Sequence, residues 1–119
     1  MPEHPKVPPR FGELVSELLR LTQEQRISWS TTDDPETLLL LRDSGHVLLS
    51  RTRGRALYRV ALHTPSGEEV QSYTSPGGSA DPNEARLAYF IRQLWEAAVV
   101  SARANDTLVS KFLEDLRKG

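Results

Sequence analysis

The densest cationic feature of the chain is Ser50-Arg51-Thr52-Arg53-Gly54-Arg55, with Arg59 a short way beyond it. Guanidinium groups are planar forks of N–H donors that match the oxygens of phosphates and carboxylates, so Arg51, Arg53, Arg55 and Arg59 are the candidate binding residues. Gly54 interrupts an alternating pattern that resumes after it, which places the run at a hairpin tip. Two partners fit such a tip: an acidic patch on another protein, or a nucleic-acid backbone. No aromatic residue interleaves with the arginines to stack on bases, which weakens the second. A tip that is merely solvated is the plain alternative.

Other residues capable of chemistry are scattered. His4, His46 and His63 would be the general acids, bases or metal ligands, because imidazole alone titrates near neutrality unperturbed. His4 falls in a proline-rich stretch, His46 opens a strand after a turn and His63 ends another, with no ligand spacing among them. Asp33 and Asp34 precede Pro35, where hydrogen bonding within a turn accounts for them. Gly77-Gly78 before a helix start is similar to a phosphate-cradling loop, yet no Gly-Lys-Ser/Thr element follows, and Asp81 and Glu84 would repel an anion. The helix–strands–helix order is similar to that of double-stranded RNA-binding domains, but the basic helix start that those modules set on phosphates is replaced here by Asp81-Pro82-Asn83-Glu84. Trp29 and Trp95 each sit inside a periodic apolar stripe, the setting of a core aromatic. No catalytic, cofactor-binding or metal site emerges, and the expectation is a protein without enzymatic activity or cofactor.

Composition narrows the field further. The chain has 119 residues, enough for one domain with one core. An apolar fraction of 38% and a charged fraction of 26% describe an ordinary globular composition. Fifteen Lys and Arg stand against 16 Asp and Glu, a formal net charge of -1, so no global field recruits nucleic acid or an anionic membrane. Zero cysteines exclude disulfides, thiolate nucleophiles and Cys-based metal sites. The opening residues carry no apolar run of the kind a secretory signal needs, and apolar runs such as Leu38 to Leu41 and Ala97 to Val100 fall far short of the roughly 20 residues of a membrane span. These features place the protein in the cytoplasm, with no membrane partner.

The elements that must position these residues follow from periodicity. Residues 1–10 contain four prolines and no apolar period, which predicts a flexible, extended arm ahead of a single domain over 11–119. Phe11, Leu14, Val15, Leu18, Leu19 and Thr22 form one helical stripe, ending near Gln25. Ile27, Trp29 and Thr31 alternate with serines as a short strand, Thr37 to Arg42 is a second strand, and Asp43-Ser44-Gly45 turns it into a third over His46 to Arg53. Arg55 to Thr64 is the clearest strand, with Tyr58, Val60 and Leu62 on one face, and Glu69 to Thr74 closes the series with either Val70 or Tyr73 inward. Residues 75–80 read as a flexible bridge. Asp81, Pro82 and Glu84 then start a long helix whose stripe runs from Leu87 through Trp95 to Ala102. Asn105-Asp106 reads as a stop and a new cap, followed by a short helix striped by Leu108, Val109, Phe112, Leu113 and Leu116. The fold class is therefore α+β: an N-terminal helix, an antiparallel meander of four to five strands, and a long and a short C-terminal helix packed on one sheet face.

The run Leu18-Leu19-x-x-Thr22 followed by Ile27-x-Trp29, the Tyr-bearing strand and turn from Tyr58 to Gly67, and the helix from Ile91 to Val99 resemble short bacterial proteins of uncharacterised function. The resemblance covers most of residues 11–116 and implies a fold class without an activity. High Arg, Ala, Leu and Pro usage suits a bacterium with a GC-rich genome.

Strand edges and apolar helix stripes are plentiful while site chemistry is missing, so the expected function is that of an interaction module, an adaptor or regulator that binds another protein or a second copy of itself. The alternatives are a nucleic-acid accessory protein working through Arg51 to Arg55, and a small-ligand domain with a pocket between the sheet and the long helix.

Overall fold

The computed structural model describes residues 7–52, 57–75 and 81–118. Helix α1 spans Phe11–Gln23 and buries Phe11, Val15, Leu18 and Thr22, which recur at spacings of four, three and four. It stops at Gln25, whose φ of 60° is left-handed. There the Gln25 N–H donates to the Thr22 carbonyl and the Arg26 N–H reaches back to Leu21, a Schellman closure of the last turn. The expected end near Gln25 thus has a physical cause in the backbone.

Five strands follow: β1 Ser30–Thr31, β2 Thr37–Arg42, β3 Gly45–Thr52, β4 Leu57–His63 and β5 Glu69–Thr74. They form one antiparallel sheet in the order β1-β2-β3-β4-β5. Register assigns the faces. Leu38 pairs with Leu49 and Leu40 with Val47, then Leu49 pairs with Val60, and Val60 with Tyr73. These six are buried and make the inner face on which the helices lie. Of the two residues considered for the inward position on β5, Tyr73 is buried and Val70 is exposed. Gly45 closes the β2–β3 hairpin at a φ of +151°, where an added Cβ would stand 2.4 Å from the His63 carbonyl oxygen. Only glycine fits there.

Strand β1 is shorter than the expected Ile27 to Thr31. Ile27 and Trp29 are buried as the alternation predicts, but the backbone of Trp29 is taken by the C-terminal helix: its N–H donates to Ser101 Oγ at 2.9 Å, and Asn105 Nδ2 donates to its carbonyl at 2.7 Å. Groups bonded in that way cannot also join the sheet ladder.

Helix α2 spans Pro82–Arg117, 36 residues without interruption. Its start is as expected: Pro82 is the first helical residue, and Asp81 caps the turn by accepting from the Asn83 N–H at 2.9 Å. Its end corrects the sequence reading. There is no stop at Asn105-Asp106 and no separate short helix. Asn105 spends its amide on Trp29, and Asp106 accepts from the Thr31 hydroxyl at 3.2 Å, so the two cap-forming side chains reach across to the first strand and the helix runs on. Nor does the final stretch pack on the sheet. Leu108, Val109, Phe112, Leu113 and Leu116 are between 43% and 66% exposed, because the helix has already passed the β1 edge.

Trp29 ties these parts together. Its indole Nε1 donates at 3.0 Å to Thr22 Oγ1 of α1, and that hydroxyl donates to the Leu18 carbonyl at 2.6 Å. A further tie joins the other end of the fold, where the Tyr73 hydroxyl donates to Glu84 Oε1 at 3.2 Å. Of the arm read over residues 1–10, the described part, 7–10, is tied down. Val7 packs against the core, the Pro8 carbonyl accepts from the Phe11 N–H at 3.1 Å, and the Pro9 carbonyl accepts from Gln71 Nε2 at 3.3 Å. The bridge over 75–80 lies outside the described residues except for Ser75, whose Oγ accepts from the Tyr58 N–H at 3.2 Å.

Candidate functional site

Of the four candidate arginines, Arg51 and Arg59 are described and Arg53 and Arg55 lie outside the described residues. Arg51 pairs with Tyr58 and Arg59 with Ser50, so the strand register turns their side chains to opposite faces of the sheet. Arg51 follows Val47 and Leu49 on the inner face. Its guanidinium lies 5.1 Å from the centre of the Trp95 ring, and its Nε donates to Glu36 Oε2 at 3.0 Å. The backbones are joined as well, with the Arg51 N–H donating to the Glu36 carbonyl at 2.9 Å. The bond to Glu36 holds the Arg51 guanidinium above its ordinary pKa. Arg59 sits on the outer face, where it donates to Glu69 Oε1 and draws that carboxyl below its ordinary range. Both described arginines therefore already hold carboxylates, and they do not converge on one ligand.

Beside Arg51 a cleft of about 340 Å3 opens between β1, β2 and α2, lined by Thr31, Glu36, Trp95, Ala102 and Arg103 among others. A second hollow of about 460 Å3 lies between the end of α1 and α2, floored by Thr22, Ile27, Ala97 and Ser101. Neither joins a nucleophile to a base, and among the described residues no group of three or more acidic or imidazole side chains could hold a metal ion. The histidines are placed by the sheet. His46 and His63 are partners across β3 and β4 and stack with ring centres 5.1 Å apart, nearly parallel, on the outer face. Stacked rings direct their nitrogen lone pairs side by side rather than toward a common point, which is poor geometry for chelation. Trp29 and Trp95 are both buried in the core, as their stripes predict.

The feature that the sequence reading located but misassigned is the end of α2. Its exposed residues Leu108, Val109, Phe112, Leu113 and Leu116 share one side of the helix, with Thr107, Glu114 and Lys118 on the other. Five large apolar side chains, each about half exposed, make a contiguous patch there, more than singly scattered surface leucines would give. A helix of 36 residues runs about 54 Å, whereas a sheet with strands of six to eight residues is only about 20–26 Å across in the strand direction.

The class this architecture defines is an α+β domain with a five-stranded antiparallel meander covered on one face by two helices, one of which overshoots the sheet. Among the described residues no helix is long and apolar enough to cross a membrane. No protein-family model, curated protein or solved structure matches the chain.

Proposed function

We propose that the chain is a non-enzymatic interaction module, an adaptor or regulatory protein of the bacterial cytoplasm that works by self-association. The apolar end of α2 carries this reading. Five side chains there, each 43–66% exposed, amount to roughly 500 Å2 of surface per copy, taking an aromatic or aliphatic side chain at its usual size. Two copies covering each other would bury on the order of 1,000 Å2, the lower bound for a specific pair. The charges bordering this face are mixed, with Asp106, Lys111, Asp115 and Arg117, so the surface complements itself rather than a strongly acidic or basic partner. Nucleic-acid binding through the arginines has weaker support, because Arg51 and Arg59 are already paired and face opposite ways.

Light scattering behind size exclusion, run over a dilution series, tests the reading. Twice the chain mass of 13.4 kDa is expected at tens of micromolar, with dissociation on dilution. Phe112→Glu should give the single-chain mass with an unchanged helical spectrum. A wild-type chain that stays single at several hundred micromolar would overturn self-association.

A further inference from the structure

We infer that the second copy pairs antiparallel, with the two α2 ends lying side by side about a two-fold axis near Phe112. This rests on the self-association proposed above and adds its geometry. The exposed stripe is in phase with the buried one: Ala98, Ala102, Asn105, Val109, Phe112 and Leu116 follow at spacings of four, three, four, three and four. The partner therefore sits on the same side of α2 as the sheet does. In a parallel pair, the partner helix would run back along that side and carry its own residues 84–102 through the space occupied by the first copy's strands. The core residues Leu94, Trp95 and Ala98, buried against that sheet, close off the parallel arrangement.

An antiparallel pair overlaps only at the ends. The segment 105–118 is about 21 Å long at 1.5 Å per residue, and each copy's sheet begins where the other's helix stops. With Phe112 meeting its own copy, Leu108 meets Leu116 of the second chain. The borders then match in charge. In antiparallel helices like flanks face each other, so Asp106 comes opposite Arg117 on one side, and Lys111 lies near Asp115 on the other. Each copy measures 67 Å in its longest dimension, and overlap of the two ends gives an elongated particle of about 110 Å with a sheet at either end.

The absence of cysteine makes the test direct, since any introduced thiol is the only one in the chain. Leu108→Cys and Leu116→Cys chains are oxidised separately and as a mixture, with Phe112→Cys alongside and wild-type mass followed by light scattering. The mixture should crosslink at least tenfold faster than either chain alone, and Phe112→Cys should crosslink by itself. Equal crosslinking of each single variant with itself would show parallel pairing and overturn the inference, while leaving self-association intact. A double-mass species with no crosslink in any sample would move the interface away from α2 and overturn it too. Single-chain mass throughout would remove the inference together with the reading beneath it.

Discussion

Trp29 offers the sharpest check on how the fold is held. Its ring is fully buried, its Nε1 donates to Thr22 Oγ1, and its backbone is clasped by Ser101 and Asn105, so one residue joins α1, β1 and α2. In Trp29→Phe the backbone ties survive, while the indole donor and one ring's worth of packed atoms are lost. Large-to-small core replacement of this extent costs about 1–2 kcal/mol, and losing the hydrogen bond adds about 1 kcal/mol. Thr22→Val removes the acceptor and leaves a buried indole N–H unsatisfied, at about 1–3 kcal/mol. Both variants disable the same bond, so the double variant should be less destabilised than the sum of the singles by about 1 kcal/mol. Urea unfolding followed by far-ultraviolet circular dichroism measures this, with all four proteins at one concentration so that association contributes equally. Additivity within about 0.3 kcal/mol would show that the indole bond contributes nothing and that Trp29 acts through packing alone.

Trp95→Ala should cost about 3–5 kcal/mol, because the ring is buried beside Tyr58 and beneath Arg51; a folded variant of unchanged denaturation midpoint would refute its core role. Gly45→Ala should destabilise by more than about 2 kcal/mol and broaden the backbone amide signals of the β2–β3 hairpin, since its Cβ would collide with the His63 carbonyl and its φ is unfavourable for an L side chain. Burial, and after it the Glu84 carboxylate, pushes the Tyr73 hydroxyl from 10.0 up to about 12. Neutral Tyr73 thus stabilises the fold in full below pH 10, and this contribution, at most about 3 kcal/mol, is lost as pH rises from 10 toward 12. Tyr73→Phe should flatten that part of the stability profile, and an unchanged profile would show that the shift is not felt by folding.

Where local pattern and tertiary demand agree, the elements were legible in the residues. Phe11, Val15, Leu18 and Thr22 declare α1, and Tyr58 and Val60 declare the inner face of β4, because each burial period is that of its own element. The errors arose where a side chain serves a distant group. Asn105 and Asp106 are cap-forming types, and nothing near them in sequence shows that Trp29 and Thr31, more than 70 residues earlier, occupy them. The same non-locality shortened β1. The arginines show a third case: Arg51 and Arg59 have the same parity in numbering, yet the hairpin pairs Arg51 with Tyr58, so counting along the chain puts them together while the register sets them on opposite faces.

The continuity of α2 also bears on how a small apolar surface can suffice for association. A free peptide of about 14 residues is a marginal helix in water, since nucleation is unfavourable and few turns follow it. Residues 105–118 do not stand alone: the turns before them are fixed by burial of Leu94, Trp95, Ala98 and Ala102, and Asn105 and Asp106 anchor the helix to β1 at the point where it leaves the sheet. The projecting turns therefore extend an existing helix and need no nucleus. A partner meeting a surface already helical avoids ordering its backbone on binding, which otherwise takes about 1–2 kcal/mol per residue fixed. The two polar residues that read as a helix stop thus do the reverse, keeping Leu108, Phe112 and Leu116 in line as a preformed surface, the condition under which the proposed pairing could work with an area near the lower bound for a specific pair.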